Sequence, residues 1–288
     1  MQMAKSPAHR FGQIIGDLLE HTLIRYCAPI AAEYGMYLDY KHARPARNHQ
    51  SEVRWTDING NTHKLDIVIE ANGSETKTGQ PRAFIEMAWR RYTKHSKNKA
   101  QEISAAIKPL VSRYSELSPF YGAVLAGEFT QNSLNQMRSE GFTLLYFSLD
   151  AIEAAFASQG IDAHWDEDTA EQELQHRVDQ LEALPEEDLQ SIGDYLMERN
   201  GSQWEGFQQS LRRALARTIQ RVSITELYGS AQQFNSVQAA RDYIASDHQS
   251  VPNVFYGYEV SVKYSNGDHS EMQFKDKDEA LASLNQLT

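Results

Sequence analysis

Asp66, in "KLDIVIE", and Glu86, in "FIEMAW", are carboxylates set among apolar residues in successive strand-like segments. Side chains alternate along a strand, so Asp66 shares a face with Val68 and Glu70, and Glu86 shares one with Phe84 and Ala88. Two carboxylates brought together on a sheet repel unless a proton or a divalent cation lies between them. Few ligands, all oxygen, suit Mg²⁺, which keeps waters and bridges to phosphate. The chemistry such a pair supports is attack of a metal-activated water on a phosphodiester. A nearby lysine would orient the water and stabilise charge developing on the phosphate oxygens.

Glu86 is followed at once by the basic run "RRYTKHSKNKAQE". From Arg82 to Arg113 eight Lys/Arg face Glu86 and Glu102, a balance of +6 in a chain whose net charge is −11. Phosphates are neutralised by neighbouring cations and not by average charge, so overall acidity does not exclude a nucleic-acid site. Arg90, Arg91, Lys94, Lys97, Lys99 and Gln101 are the expected nucleic-acid contacts. The plain alternative for this run is a solvated helix face. Trp89 and Tyr92 are expected to pack rather than to stack on bases.

The elements that must hold these groups follow from periodicity. Ile14, Ile15, Leu18, Leu19, Thr22, Leu23 and Tyr26 follow a helical period, limited or kinked at Pro29. "EVRWTDINGNTHKLDIVIEANG" reads as a hairpin turning at Asn59-Gly60-Asn61. "RAFIEMAW" is a strand, and a helix follows from about Thr93 to Leu110 with Tyr92, Ser96, Ala100, Ile103 and Ile107 as its buried stripe. "YGAVLAGEF" and "FTLLYFSL" are buried strands separated by one helix and followed by another. The order implies an α/β fold, a mixed sheet flanked by helices with at least two parallel central strands.

Residues 163–250 form an acidic, mostly helical region; from Asp162 to Arg199 thirteen Asp/Glu face Arg177 and Arg199. Leu174, Val178, Leu181 and Leu184 form one stripe there. Gln208 to Val222 reads as a helix with Arg212, Arg213, Arg217 and Arg221 on its surface. Residues 251–288 read as a C-terminal β-hairpin turning at Asn266-Gly267, plus a helix capped by Asp276 or Asp278. Residues 1–162 are then the core. No apolar run approaches the roughly 20 residues of a membrane span. The N-terminus lacks a secretory core, and Cys27 is the single cysteine, so a cytoplasmic protein is expected, with neither an intrachain disulfide nor a Cys-ligated zinc site.

Taken in order, Glu20 in "GDLLEHTL", Asp66, Glu86, the basic helix and the closing strand-helix-strand "AVLAGEFTQNSLNQMRSEGFTLLYF" resemble the PD-(D/E)XK nuclease superfamily, the restriction-endonuclease-like fold. The resemblance spans about residues 11–157, and the closing unit is similar to that of Mrr-like restriction enzymes. It implies a Mg²⁺-dependent DNA endonuclease in bacterial restriction or anti-phage defence, with Mn²⁺ able to substitute. Glu20, Asp66 and Glu86 would hold or support the metal. The superfamily carries a lysine two residues after the second acid, where this chain has Ala88. Some members take that charge from the next helix, which points to Lys94 or Lys97, with Arg90 and Gln101 beside them. Others move the second carboxylate there, which makes Glu102 a further catalytic candidate.

DNA is the implied partner. Double-strand cleavage needs two sites, so a homodimer, or a partner protein of a defence system, is expected. The competing reading, favoured by Ala88, is an inactive nuclease-like DNA-binding or scaffold subunit; a third is an interaction protein built on the acidic helices. Bland roles exist for the acids too. Asp66 could begin a solvated strand, Glu20 could be a surface helix residue, and Glu86 could pair with Arg82 or Lys64. Geometry discriminates: Asp66 and Glu86 should share reach of one cation with a lysine beside them.

Overall fold

The computed structural model describes residues 6–93, 96–226, 230–246 and 257–287. Helix α1 (Pro7–Glu33) opens on Ser6, whose Oγ accepts from His9 N–H. Phe11, Ile15, Leu18, Leu19, Thr22 and Leu23 recur at helical spacing and form its buried face. Pro29 does not end the helix, which runs on to Glu33. The cost of the missing N–H is borne while Ile30 and Ala31 stay buried.

The central sheet has five strands in the order β1 (Tyr37–Tyr40), β4 (Ile67–Ala71), β5 (Gln80–Arg90), β6 (Phe120–Gly127), β7 (Thr143–Ser148). β1, β4 and β5 pair antiparallel; β5, β6 and β7 pair parallel through α2 (Ser96–Arg113) and α3 (Gln131–Ser139). This is the expected α/β class with a mixed, helix-flanked sheet. Both faces are covered, as a parallel centre requires. Ile67, Ile69, Ala83 and Ile85 pack with α1 and α4 (Leu149–Ala157). Val68, Phe84 and Ala88 pack under α2 and α3.

β2 (Val53–Thr56) and β3 (Thr62–Leu65) make the expected hairpin, its turn held by Asp57 Oδ1, which accepts from Asn59 and Asn61 N–H. That hairpin stands apart from the central sheet, and Asp66 is the single residue between β3 and β4.

The acidic region is no separate arm. Helices α5 (Glu171–Glu182), α6 (Glu186–Arg199) and α7 (Gly201–Ala216) bury Leu174, Val178, Leu181, Ile192, Leu196, Phe207 and Leu211 in the same core as α1. The helix expected to reach Val222 stops at Ala216, and Ile219–Glu226 is strand β8. Val222 and Ile224 are buried at a period of two, which a strand satisfies and a helix does not. β8 joins β9 (Gln232–Phe234), β10 (Tyr258–Tyr264) and β11 (His269–Phe274) in a four-stranded antiparallel sheet, ordered β11-β10-β8-β9. Helices α8 (Val237–Ala245) and α9 (Lys277–Asn285) cover it and share its own core, so the C-terminal unit begins near residue 219 and not at 251. The turn at Gly267 (φ +93°) and the Asp276 cap stand where expected. No helix among the described residues is long and apolar enough to cross a membrane.

Candidate active site

Antiparallel pairing sets Ile67 opposite Ile85, so one step further Asp66 comes level with Glu86. The two interlock: Asp66 N–H donates to Glu86 Oε1 at 3.3 Å, and Met87 N–H donates to Asp66 Oδ2 at 2.7 Å. Met87 N–H is free to do so because β4 begins at Ile67, while β5 runs on to Arg90 against β6 alone. No described residue donates a hydrogen bond to Asp66 Oδ1 or Glu86 Oε2.

Glu70, three residues after Ile67, shows what a structural carboxylate looks like in this sheet. It is fully buried and receives both arms of Arg44, at 2.8 and 3.0 Å, plus Gly79 N–H at 2.7 Å. Arg44 also pairs with buried Asp39 at 2.7 Å. Among the described residues, no arginine pairs with Asp66 or Glu86. Lys64 pairs instead with Glu52, and Arg82 donates to the Ala214 carbonyl.

The electrostatic consequence is a pair reluctant to carry two charges. Burial pushes Glu86 far above the usual carboxylate range, and the neighbouring Asp66 pushes it further. Burial raises Asp66 as well, against the Met87 N–H and the charges of Lys99 and Lys41. Glu20 is raised by burial and by Asp66. Glu20 shares with Asp66 a hollow of about 240 Å³, bounded by Gln13, Gly16, Asp17 and Leu19 of α1 and by Met87–Trp89. Thus Glu20 stands across a small gap from Asp66, while among the described residues no three His, Cys, Asp or Glu side chains close into a single cage.

Ala100, Ile103 and Ile107 seat α2 over Phe84 and Ala88, as the stripe predicts. The lysine this brings to the acids is Lys99, whose charge acts on both Asp66 and Glu86. Its side chain is 25 % exposed and its Nζ lies 3.5 Å from Glu102 Oε2. Lys97 and Gln101 are exposed on the outer side of α2, since the helix starts at Ser96 and turns them away from its buried stripe. The candidate role of Lys97 therefore passes to Lys99. Glu102 is also exposed and braces Lys99 instead of joining the carboxylates. Lys94 lies outside the described residues.

Arg90 lines a larger hollow of about 800 Å³ together with His9, Gln13, Trp89 and Lys99. Arg91, expected to contact nucleic acid, is committed elsewhere. Its Nη1 pairs with Glu153 at 2.8 Å, its Nε donates to the Trp165 carbonyl at 3.0 Å, and its guanidinium stacks on the Trp165 ring. Those contacts tie the end of β5 to the segment leading into α5. Lys41, whose charge acts on both Asp66 and Glu20, is a further candidate that the sequence alone did not single out. Its signal was strand pairing: Tyr40 faces Ile67, so the next residue arrives level with Asp66.

No family model matches the chain, and no curated protein matches it. A solved structure described as a protein of unknown function, AF1548, is similar at 12 % identity and a TM-score of 0.29, covering 64 % of this chain and 99 % of that one. A likeness that low carries no argument about fold or activity.

Proposed function

We propose that the protein is a divalent-cation-dependent DNA endonuclease of the PD-(D/E)XK kind, acting in bacterial restriction or defence. The observation that supports this most is the Asp66–Glu86 pair: a half-buried and a buried carboxylate, interlocked, each with one oxygen on a backbone N–H and neither, among the described residues, on an arginine. The donor set fits Mg²⁺, or Mn²⁺, because it is all oxygen, compact, and electrostatically strained without a cation. Asp66 Oδ1 and Glu86 Oε2 would hold it, with Glu20 supporting from across the hollow. The ion, when bound, supplies an acidified water and a Lewis acid toward phosphate.

The chain's own residues do the rest. Lys99, steadied by Glu102, sets a positive charge beside the carboxylates where Ala88 offers none. That charge stabilises the extra negative charge on the phosphate oxygens as water adds to phosphorus and the bond to the leaving oxygen breaks. Arg90 and the 800 Å³ hollow receive the substrate strand next to the pair. Lys97 and Gln101 extend the polar outer face of α2, along which the nucleic-acid backbone would run. Two copies of the chain, or a partner protein, would be needed to cut both strands.

The test is incubation with supercoiled plasmid and Mg²⁺ or Mn²⁺. The parent should nick it, and Asp66→Asn and Glu86→Gln should not. Salt-sensitive DNA binding without cleavage would favour the inactive DNA-binding subunit, the reading to which Ala88, buried under α2, lends support.

A further inference from the structure

Arg82 stands at the start of β5, four residues before Glu86. Beside it is Arg217, which follows α7 and precedes β8. Two guanidinium groups thus meet at the seam between the central sheet and the C-terminal unit. The Arg217 side chain is 1 % exposed. Its Nη1 reaches Asp268 at 3.1 Å, its Nη2 donates to the Leu117 carbonyl, and it lies over the Tyr264 ring. Among the described residues, Arg82 donates only to the Ala214 carbonyl, at 3.3 Å. Among the described residues, the buried Nε atoms of both arginines have no hydrogen-bond partner. Asp268, 45 % exposed, therefore balances buried Arg217, while among the described residues no carboxylate pairs with half-buried Arg82.

Burying unmatched charge is costly, and the two arginines feel it. Burial, with the Arg217 charge adding to it, depresses Arg82 to about 10. The groups line a hollow of about 440 Å³, within the range of roughly 300–1,000 Å³ typical of small-ligand sites. Its remaining polar lining is neutral, including Asn72, Thr218, Asn235 and Ser236; among the described residues no Asp or Glu lines it. Ser236 is the N-cap of α8, so the positive end of that helix borders the same space.

We propose that this seam is a binding site for a phosphate monoester carried by a small molecule, such as a mononucleotide. Two neighbouring guanidinium charges and a helix N-terminus suit a dianion, whereas a phosphodiester carries a single charge and offers fewer free oxygens. Bound there, the ligand would join Arg82 of the central sheet to Arg217 and α8, and so clamp the C-terminal unit onto the core. The site is separate from the carboxylate pair and stands whether or not the protein cleaves DNA.

The experiment is thermal unfolding of the full chain in EDTA, with inorganic phosphate, 5′-AMP, adenosine, and a short oligonucleotide with or without a 5′-phosphate. The midpoint should climb with 5′-AMP concentration and stay flat with adenosine. Arg82→Met should weaken the effect at least tenfold, while Glu86→Gln should leave it intact. A response to the 5′-phosphorylated oligonucleotide alone would overturn the small-molecule source. A flat response to every phosphate probe, or an equal response in Arg82→Met, would overturn the site. Should Arg82→Met fail to fold, phosphorus NMR on the parent decides: the 5′-AMP resonance must broaden with protein, and an unchanged line contradicts the proposal.

Discussion

Glu70 and Glu86 are buried carboxylates on neighbouring strands, and only Glu70 has an arginine. That contrast turns an odd residue into a candidate site. It also gives a pH dependence with a definite sign. Glu86 is raised above its ordinary value of 4.5, so between 4.5 and its folded value the native state holds a proton that the unfolded chain has lost. The contribution of this group to stability is present below pH 4.5 and is lost as pH rises toward the folded value. Asp66 and Glu20 shift the same way. Without divalent ions, the parent's unfolding midpoint should therefore fall more steeply above pH 5 than that of Glu86→Gln, by the equivalent of about 1 kcal/mol or more. Mg²⁺ should flatten the parent's slope. Equal slopes for parent and variant would contradict the strained pair.

At the scale of elements, α2 decides which lysine serves. The apolar stripe of Ala100, Ile103 and Ile107 was legible in the sequence, and so was the alternation that levels Asp66 with Glu86. The identity of the lysine was not, because it depends on how α2 rotates against β5, which periodicity fixes only to within a residue or two. Lys99 follows from the packed helix. Lys99→Ala should lower the cleavage rate about 10²-fold, while Lys97→Ala should change it less than threefold at low salt. A larger loss with Lys97→Ala would move the charge back to the outer face. Gly16 of α1 faces open space beside Asp66. Gly16→Leu should fold at least as stably as the parent, since glycine costs about 1 kcal/mol in a helix, yet it should reduce cleavage by crowding the hollow. Melting and nicking assays read the two effects separately.

The molecule as a whole joins parts that composition separates. Charge marks residues 162–199 as a region apart, but Leu174, Val178, Leu181, Ile192 and Leu196 point into the core shared with α1. An acidic surface and an apolar inner stripe coexist on one helix, so net charge alone could not place it. Leu196→Ala should cost about 2–5 kcal/mol and lower the main unfolding transition, the mark of one cooperative body; a loss confined to a minor transition would show the acidic helices to be a separate layer. The C-terminal sheet was half legible. Its "NG" hairpin was clear, but β8 lay hidden after a run of arginines that looked helical. Arg217 was read with that surface and is instead buried at the seam, which only the tertiary fold reveals.

The central claim is that Asp66 and Glu86 together hold one divalent cation in a working nuclease site. Calorimetric titration of Mn²⁺ into the parent and into Glu86→Gln, with plasmid nicking measured on the same samples, tests it most directly. The account predicts a single Mn²⁺ site per chain whose affinity rises with pH, and loss of both that site and nicking in Glu86→Gln. Nicking that survives in Glu86→Gln, or a parent that binds no Mn²⁺, would contradict it.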